Sequence, residues 1–184
     1  MIVVFAGLHG TGKSTIAKRV AQQINATFYS TGMAFRDLAK EKNMSLADFS
    51  KYSEQNLEID KELDQKIVHM AQTRKDFVFD GQLPAYILKD LSHYNIMLKC
   101  DEKVRIERMA DRDSKSFEEQ KYETLVREES ERQRFIKLYN IDILNPTSIL
   151  NIYHLIVDTT TLGIEDIVSI CSHAVETKAK WLKQ

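Results

Sequence analysis

The sequence predicts an α/β domain of three layers, a parallel sheet covered on both faces by helices. Three observations carry that prediction. Short apolar runs alternate along the chain with longer stretches of helical periodicity, the pattern of βαβ units. Only six glycines and two prolines occur in 184 residues, so sharp turns are few and long regular elements, mostly helices, dominate. The length suits one domain with a sizeable core, and 43% hydrophobic with 29% charged residues is a globular balance rather than a disordered one.

Each element has its own signal. Ile2–Ala6 is uninterrupted apolar sequence and reads as a buried strand. Ser14–Ile24 sets Ile16, Ala17, Val20, Ala21 and Ile24 on one helical face. Phe28–Ser30 is a short strand and Met33–Lys40 is helical. Ser45 is placed to cap a helix over Leu46–Tyr52, and Leu57–Gln72 is a further helix. Phe77–Asp80 is a strand that stops at Gly81. Tyr94–Cys100 is another, and Asp101 is placed to cap the helix Lys103–Arg112. Ser116–Tyr139 is one long charged helical stretch, Leu155–Asp158 the last strand, and Ile164–Lys180 the last helix. About five strands and seven or eight helices result, in a single domain over residues 1–184. Two helical regions, Thr31–Lys75 and Ser114–Asn140, exceed simple crossovers and read as mobile flaps.

Composition excludes several function classes. Lys+Arg number 26 against 27 Asp+Glu, a formal net charge of −1, which argues against a polybasic nucleic-acid binder. Cys100 and Cys171 form no CxxC or Cys/His cluster, so neither a disulfide framework nor a zinc site is expected, and a reducing, cytoplasmic setting is. The apolar opening Ile2–Ala6 lacks a basic leader and is too short for a signal peptide, and no apolar run reaches the length of a membrane span.

One motif carries chemistry. Gly7-Leu8-His9-Gly10-Thr11-Gly12-Lys13-Ser14 fits G-x-x-x-x-G-K-[ST], with a buried strand before it and an amphipathic helix after it. Backbone N–H groups of such a loop point inward and the helix N-terminus adds partial positive charge, so the loop holds phosphates. Side chains at Gly7, Gly10 and Gly12 would obstruct phosphate approach or the backbone angles. Lys13 would bridge the β- and γ-phosphates of ATP and Ser14 would hold Mg²⁺. Gly7, His9, Gly10, Thr11, Gly12, Lys13, Ser14 and Thr15 therefore form the candidate nucleotide site. No G-x-G-x-x-G follows the first strand, which excludes a dinucleotide fold, and no N/T-K-x-D tetrapeptide is present to read guanine.

Other candidates are weighed by position. Asp80, at a strand end, either orients Mg²⁺ and its waters or serves the turn before Gly81. His9 occupies an unconstrained loop position and reads as a neighbour of the nucleotide rather than a base. His69, His93, His154 and His173 are scattered and read as structural or surface residues. Six of nine arginines lie between positions 105 and 134. Glu123 with Arg127 and Glu128 with Arg132 are i,i+4 pairs, so the long helix is either a solvated face or a phosphate clamp. Arg105, Arg108 and Arg112 share one side of a helix and repel one another, an arrangement that a bound polyanion would relieve; Arg108 and Arg112 are the phosphate candidates. Arg36 either meets an oxyanion with its planar fork or sits on the surface.

These residues, taken in order, resemble the nucleoside monophosphate kinases, most closely the archaeal-type cytidylate kinases. The resemblance runs through the phosphate loop, Ser30-Thr-Gly32-Met-Ala-Phe35-Arg36, Met44-Ser-Leu46, Phe49-Ser-Lys-Tyr52, Ile59-Asp60, Asp80-Gly81, Val104-Arg-Ile-Glu-Arg108, Arg112, Arg127-Glu-Glu-Ser-Glu-Arg132 and Tyr139-Asn-Ile-Asp142. It implies a P-loop NTPase domain with a five-stranded parallel sheet in the order 2-3-1-4-5, an acceptor-binding flap at about 31–75 and a lid at about 113–140. It implies ATP as phosphate donor, Mg²⁺, and CMP or dCMP as acceptor, with no nucleic-acid or membrane partner and a monomer or weak homodimer. Lys13, Arg108, Arg112 and Arg132 would be catalytic. Ser30, Gly32, Arg36, Asp80, Gly81, Gln82 and Glu129 would line the substrate, with Ser14 and Asp80 on the metal. Gln82 stands where relatives usually carry Arg, and a neutral amide cannot make a charge-assisted bidentate contact to phosphate. Kinases of another nucleoside monophosphate or small molecule, and a non-catalytic ATP-binding regulator, are the alternatives.

Overall fold

The computed structural model describes residues 1–73 and 76–183. Its strands are β1 (Ile2–Ala6), β2 (Thr27–Ser30), β3 (Phe77–Asp80), β4 (Tyr94–Lys99) and β5 (Leu155–Asp158). All pair in parallel, in the order β2-β3-β1-β4-β5, so the expected sheet order holds. The register aligns Phe5 with Asp80 and Ser30 with Asp80, which brings the carboxyl ends of three strands level. In an open parallel sheet that edge is where ligands bind.

The helices are α1 (Lys13–Gln23), α2 (Thr31–Glu41), α3 (Leu46–Gln55), α4 (Glu58–Gln72), α5 (Pro84–Ile87), α6 (Glu102–Asp113), α7 (Phe117–Tyr139), α8 (Pro146–Ile152) and α9 (Ile164–Trp181). Alternation along β1 divides the core. Val3 and Phe5 pack with Ile16 and Val20 of α1 and Val168 and Cys171 of α9, while Ile2 and Val4 pack with Ile67 of α4 and Leu88. The two faces are the outer layers of the sandwich. The central strands β1 and β3 are buried along their whole length because both sides are covered, whereas the edge strands β2 and β5 keep exposed positions.

Nine helices are present among the described residues, against the seven or eight expected. The additions, α5 and α8, span four and seven residues and each opens on one of the chain's two prolines. Pro preorganises the first helical turn, where its missing N–H is not needed. Both prolines therefore mark helix starts here rather than loops. Caps fall where expected: Ser45 accepts from Asp48 N–H, and Asp101 from Lys103 and Val104 N–H. Ser30 caps α2, accepting from Met33 N–H, so that helix begins two residues earlier than its apolar pattern.

Helices α2 to α4 build a small core of their own around Phe35, Ala39 and Phe49, and α7 packs across α3 and α6. Lys75, the expected end of the first helical region, lies outside the described residues. Two histidines serve the sheet: His93 Nδ1 accepts from Ile2 N–H and His154 Nδ1 from Asn95 N–H. Among the described residues no helix is long and apolar enough to cross a membrane.

Candidate active site

The loop between β1 and α1 opens onto a cavity of about 1750 Å³ lined by residues 9–16 together with Arg36, Arg108, Arg112 and Arg127. Gly12 is the N-cap of α1 at φ 86° and supplies no side-chain cap, so the first-turn N–H groups stay available to an anion. A Cβ there would meet nothing within 4 Å, so the demand at Gly12 is conformational and the space above it is open. Gly10 differs. Its Cβ would lie 2.4 Å from the Arg105 carbonyl oxygen, so this glycine lets the loop pack on α6 rather than clearing a path for phosphate.

Lys13 is half-buried behind the loop and donates from Nζ to Leu8 O at 3.2 Å. Burial lowers its pKa and Arg127 adds to that, while Asp80, Glu131 and Glu128 favour the charged form. Ser14 Oγ donates to Asp80 Oδ2 at 2.5 Å, and Ser30 Oγ donates to the same oxygen at 2.8 Å. Asp80 is 1% exposed, and its other oxygen, Oδ1, is buried without a partner among the described residues. A buried carboxylate oxygen left over beside a serine hydroxyl is a hard-oxygen donor set suited to Mg²⁺. Gly81 abuts Thr31 Oγ1 so closely that a Cβ would lie 2.2 Å from it.

The arginines separate into two groups. Arg36 makes no ion pair among the described residues; burial and the neighbouring Arg127 and Arg112 lower its pKa. Arg112 lines the large cavity and pairs side-on with Asp113 at 2.7 Å. Arg108 lines it too, donating from Nη2 to Thr159 O at 2.8 Å, while Thr159 Oγ1 donates to Thr11 O at 3.0 Å and ties the end of β5 to the loop. Arg105 belongs elsewhere. It is 4% exposed and makes a bidentate bond to Glu128 at 2.7 and 2.9 Å.

Helix α7 departs most from expectation. Neither i,i+4 pair read from the sequence forms. Glu123 goes to Lys115, Glu128 to Arg105, and Arg132 to Asp142 at 2.9 and 2.7 Å. Arg132 lines neither cavity; its fork staples the C-terminal turn of α7 to the segment that follows. Arg127 instead reaches the cleft. It lines both the large cavity and a smaller one that adjoins Lys13, Ser30, Arg36, Asp80 and Gln82. Glu129 lines the large cavity, with Oε1 accepting from Gln133. Gly32 lines the smaller one.

Glu131, 6% exposed, is the hub of this region. It accepts from Arg127 Nε at 2.9 Å, from Gln82 Nε2 at 2.6 Å, and from His9 Nε2 at 2.8 Å. His9 and Gln82 nitrogens stand 3.0 Å apart, so they are two donors sharing one acceptor, which requires the Nε2–H tautomer of His9. Burial opposes ionisation of Glu131, but the hydrogen bond from His9 and the charge of Arg127 outweigh it and hold the carboxyl far below the usual range. Burial lowers the His9 pKa, so the ring is the neutral donor. Glu128 accepts from His9 N–H at 3.0 Å, a second tie between α7 and the loop. Arg127, Glu131 and Arg134 were missed as site residues. Their signal was a polar face at spacings of four and three on one helix, Gln120, Thr124, Glu131 and Arg134 all being buried along it.

Comparison with known proteins shows the family. A family model described as an AAA domain matches residues 3–137. The chain is similar to the cytidylate kinase of Methanosphaera stadtmanae, 40% identical over 97% of this chain and 99% of that one. It is 39% identical to the cytidylate kinase of Aeropyrum pernix over 89% and 92%, and 37% identical to that of Methanocaldococcus jannaschii over 98% and 100%. Among solved structures, shikimate kinase from Acinetobacter baumannii in complex with shikimate matches at TM-score 0.61 and 12% identity, covering 96% of this chain and 93% of that one. Shikimate kinase from Bacteroides thetaiotaomicron matches at 0.62 and 12%, covering 96% and 98%; these two likenesses concern the fold alone.

Proposed function

The chain belongs to the cytidylate kinase family, and from that premise we propose that it transfers the γ-phosphoryl group of ATP to CMP or dCMP, giving ADP and CDP or dCDP. The observation that carries the reading is the convergence on one cleft of Lys13, the Ser14–Asp80 pair and Arg36, Arg108, Arg112 and Arg127. Three of those cations (Lys13, Arg36 and Arg127) also border the smaller cavity. A polyanion of two nucleotides is what such a concentration of positive charge would bind.

The bond from the γ-phosphorus to the β–γ bridging oxygen breaks, and one forms to an oxygen of the acceptor phosphate. That oxygen is already anionic, so no strong general base is needed, and catalysis rests on positioning and charge neutralisation. Lys13 and the first-turn N–H groups of α1 hold the donor phosphates. Arg108 and Arg112 hold phosphate from α6. Arg36 and Arg127 face the acceptor phosphate and the group in transfer, and Arg127 is aimed by Glu131. Ser30, Gly32, Gly81 and Gln82 line the acceptor side, and Glu129 lines the large cavity. Ser14 and Asp80 would hold Mg²⁺, which when bound neutralises charge on the donor phosphates. Residues 31–75 act as the acceptor flap and 113–140 as the lid, closing to exclude water. We place the protein in the cytoplasm as a monomer or weak homodimer.

Product analysis tests the reading. With ATP, Mg²⁺ and CMP, the wild-type protein is expected to form CDP and ADP in equal amounts, and Lys13→Ala to lose the transfer by at least about a hundredfold. Full transfer by Lys13→Ala would overturn the assignment. A second reading, a kinase of a small non-nucleotide acceptor, is favoured by the uncharged Gln82 in the acceptor cavity and is distinguished by the acceptor used.

A further inference from the structure

Asp64 is a half-buried titratable group that the phosphate chemistry leaves without a role, and it lines the smaller cavity. The wall formed by α4 and α7 brings Asp60, Leu63 and Asp64 to that cavity from one helix and Arg134 and Phe135 from the other; Phe35 of α2 adds an aromatic ring. Asp60 is engaged, accepting from Arg134 Nε at 2.8 Å. Asp64 accepts a single hydrogen bond, from the Tyr139 hydroxyl to Oδ2 at 2.7 Å, and pairs with no cation among the described residues. A second polar group in the same cavity lacks a partner. Gln82 is nine-tenths buried, and while its Nε2 serves Glu131, its Oε1 has nothing to accept from among the described residues. Buried polar atoms are normally hydrogen-bonded, so the Gln82 oxygen, with the half-buried Asp64 carboxylate on the same cavity wall, points to a ligand that brings N–H or O–H groups.

The cavity also borders Lys13, Arg36 and Arg127, so a nucleotide whose phosphate meets those cations would carry its base toward the remaining walls. Phe35, Leu63 and Phe135 suit the faces of a flat ring. The Asp64 carboxyl meets its edge. A carboxylate only accepts, so it welcomes the exocyclic amine of cytosine and repels the carbonyl that uracil presents at the same position. We propose that Asp64 reads the exocyclic amine of the acceptor base and thereby selects cytosine over uracil, an inference that rests on the cytidylate kinase reading above.

The selection has a built-in pH dependence. Burial pushes the Asp64 carboxyl up to about 7; Asp60 on its own helix acts in the same direction, and the Tyr139 hydrogen bond from α7 in the opposite one. Arg134, also on α7, is neutralised locally by Asp60. Across the cavity stand Arg36 and the Arg127–Glu131 pair. Protonated Asp64 gains an O–H that donates to the uracil carbonyl, so discrimination weakens as pH falls through about 7.

Steady-state kcat/KM for CMP and for UMP, measured between pH 6 and 8 on wild type and Asp64→Asn, tests this. The ratio cancels the titration of the acceptor phosphate, which both substrates share. Wild type is expected to prefer CMP, with a ratio that rises with pH. In Asp64→Asn the amide serves either base, its oxygen accepting from the cytosine amine or its nitrogen donating to the uracil carbonyl, so the ratio should fall by about tenfold or more, chiefly through KM for CMP, and lose its pH dependence. ATP binding and the thermal melt of the variant report that it has folded; should it not fold, the wild-type ratio decides alone. An unchanged ratio in Asp64→Asn, or a wild-type ratio flat from pH 6 to 8, overturns the role of Asp64 and leaves the kinase reading standing. Failure of wild type to phosphorylate CMP overturns both.

Discussion

Arg127 and Arg132 stand five residues apart on α7 and have opposite surroundings. Arg127 borders both cavities and is oriented by Glu131, whereas Arg132 is held by Asp142 outside them. Arg127→Ala should therefore lower kcat/KM for CMP by about a hundredfold to a thousandfold, and Arg132→Ala by only a few fold, in the same steady-state assay. Equal losses would mean that α7 rotates between this conformation and the working one. Gly10 gives a prediction of another kind. An added Cβ would sit 2.4 Å from the Arg105 carbonyl in a loop at φ 79°, so Gly10→Ala should cost about 2–4 kcal/mol in urea unfolding, independent of nucleotide. Asp64 is raised to about 7 in the folded state against an ordinary 3.8. The folded chain thus binds more protons than the unfolded chain between those values, and stability falls as pH rises through them. Asp64→Asn should raise stability at pH 8 by about 2–4 kcal/mol and by much less at pH 5, as read from urea midpoints.

At the scale of elements, α7 is tied to the phosphate loop by two carboxylates, Glu128 on the His9 N–H and Glu131 on its ring. The His9 pKa is lowered in the folded state, so its contribution is lost as pH falls below about 6.5, where the unfolded ring takes up a proton that the folded one resists. Glu131 is depressed, so its contribution holds above about 4.5 and declines below it. Between pH 7 and 5.5 this loss runs against the gain from Asp64, so His9 is read from the difference: His9→Gln should lose less melting temperature, or gain more, than wild type over that interval. The helices and strands themselves were readable because their apolar periodicity is set by burial on one side or both. The two short helices were not, since four and seven residues carry too little periodicity and only a leading proline marked them. The pairs along α7 misread for a related reason. Sequence spacing identifies neighbours on a helix surface, but a bidentate partner on another element, Arg105 for Glu128 or Asp142 for Arg132, outcompetes an exposed i,i+4 contact.

Over the whole molecule, the phosphate loop, Asp80 and Arg36 were legible because strand ends of a parallel sheet concentrate function at one edge, and the sheet register then sets Ser30 and Asp80 side by side. The acceptor side was less legible. It is assembled from α2, α4 and α7, elements distant in sequence, whose buried polar groups carry no motif. Gln82 illustrates this: as a sequence position it is a missing charge, whereas in the fold its amide supports Glu131, which aims Arg127. Phosphoryl transfer to cytidylate is the claim on which the rest depends, and coupled detection of ADP release, with ATP and Mg²⁺, across CMP, dCMP, UMP, AMP and shikimate tests it most directly. The expected result is turnover with CMP or dCMP at a kcat/KM at least about tenfold above every other acceptor, with little ADP formed when no acceptor is present. ADP release that is greatest with shikimate or AMP, or that does not respond to any acceptor, would contradict it.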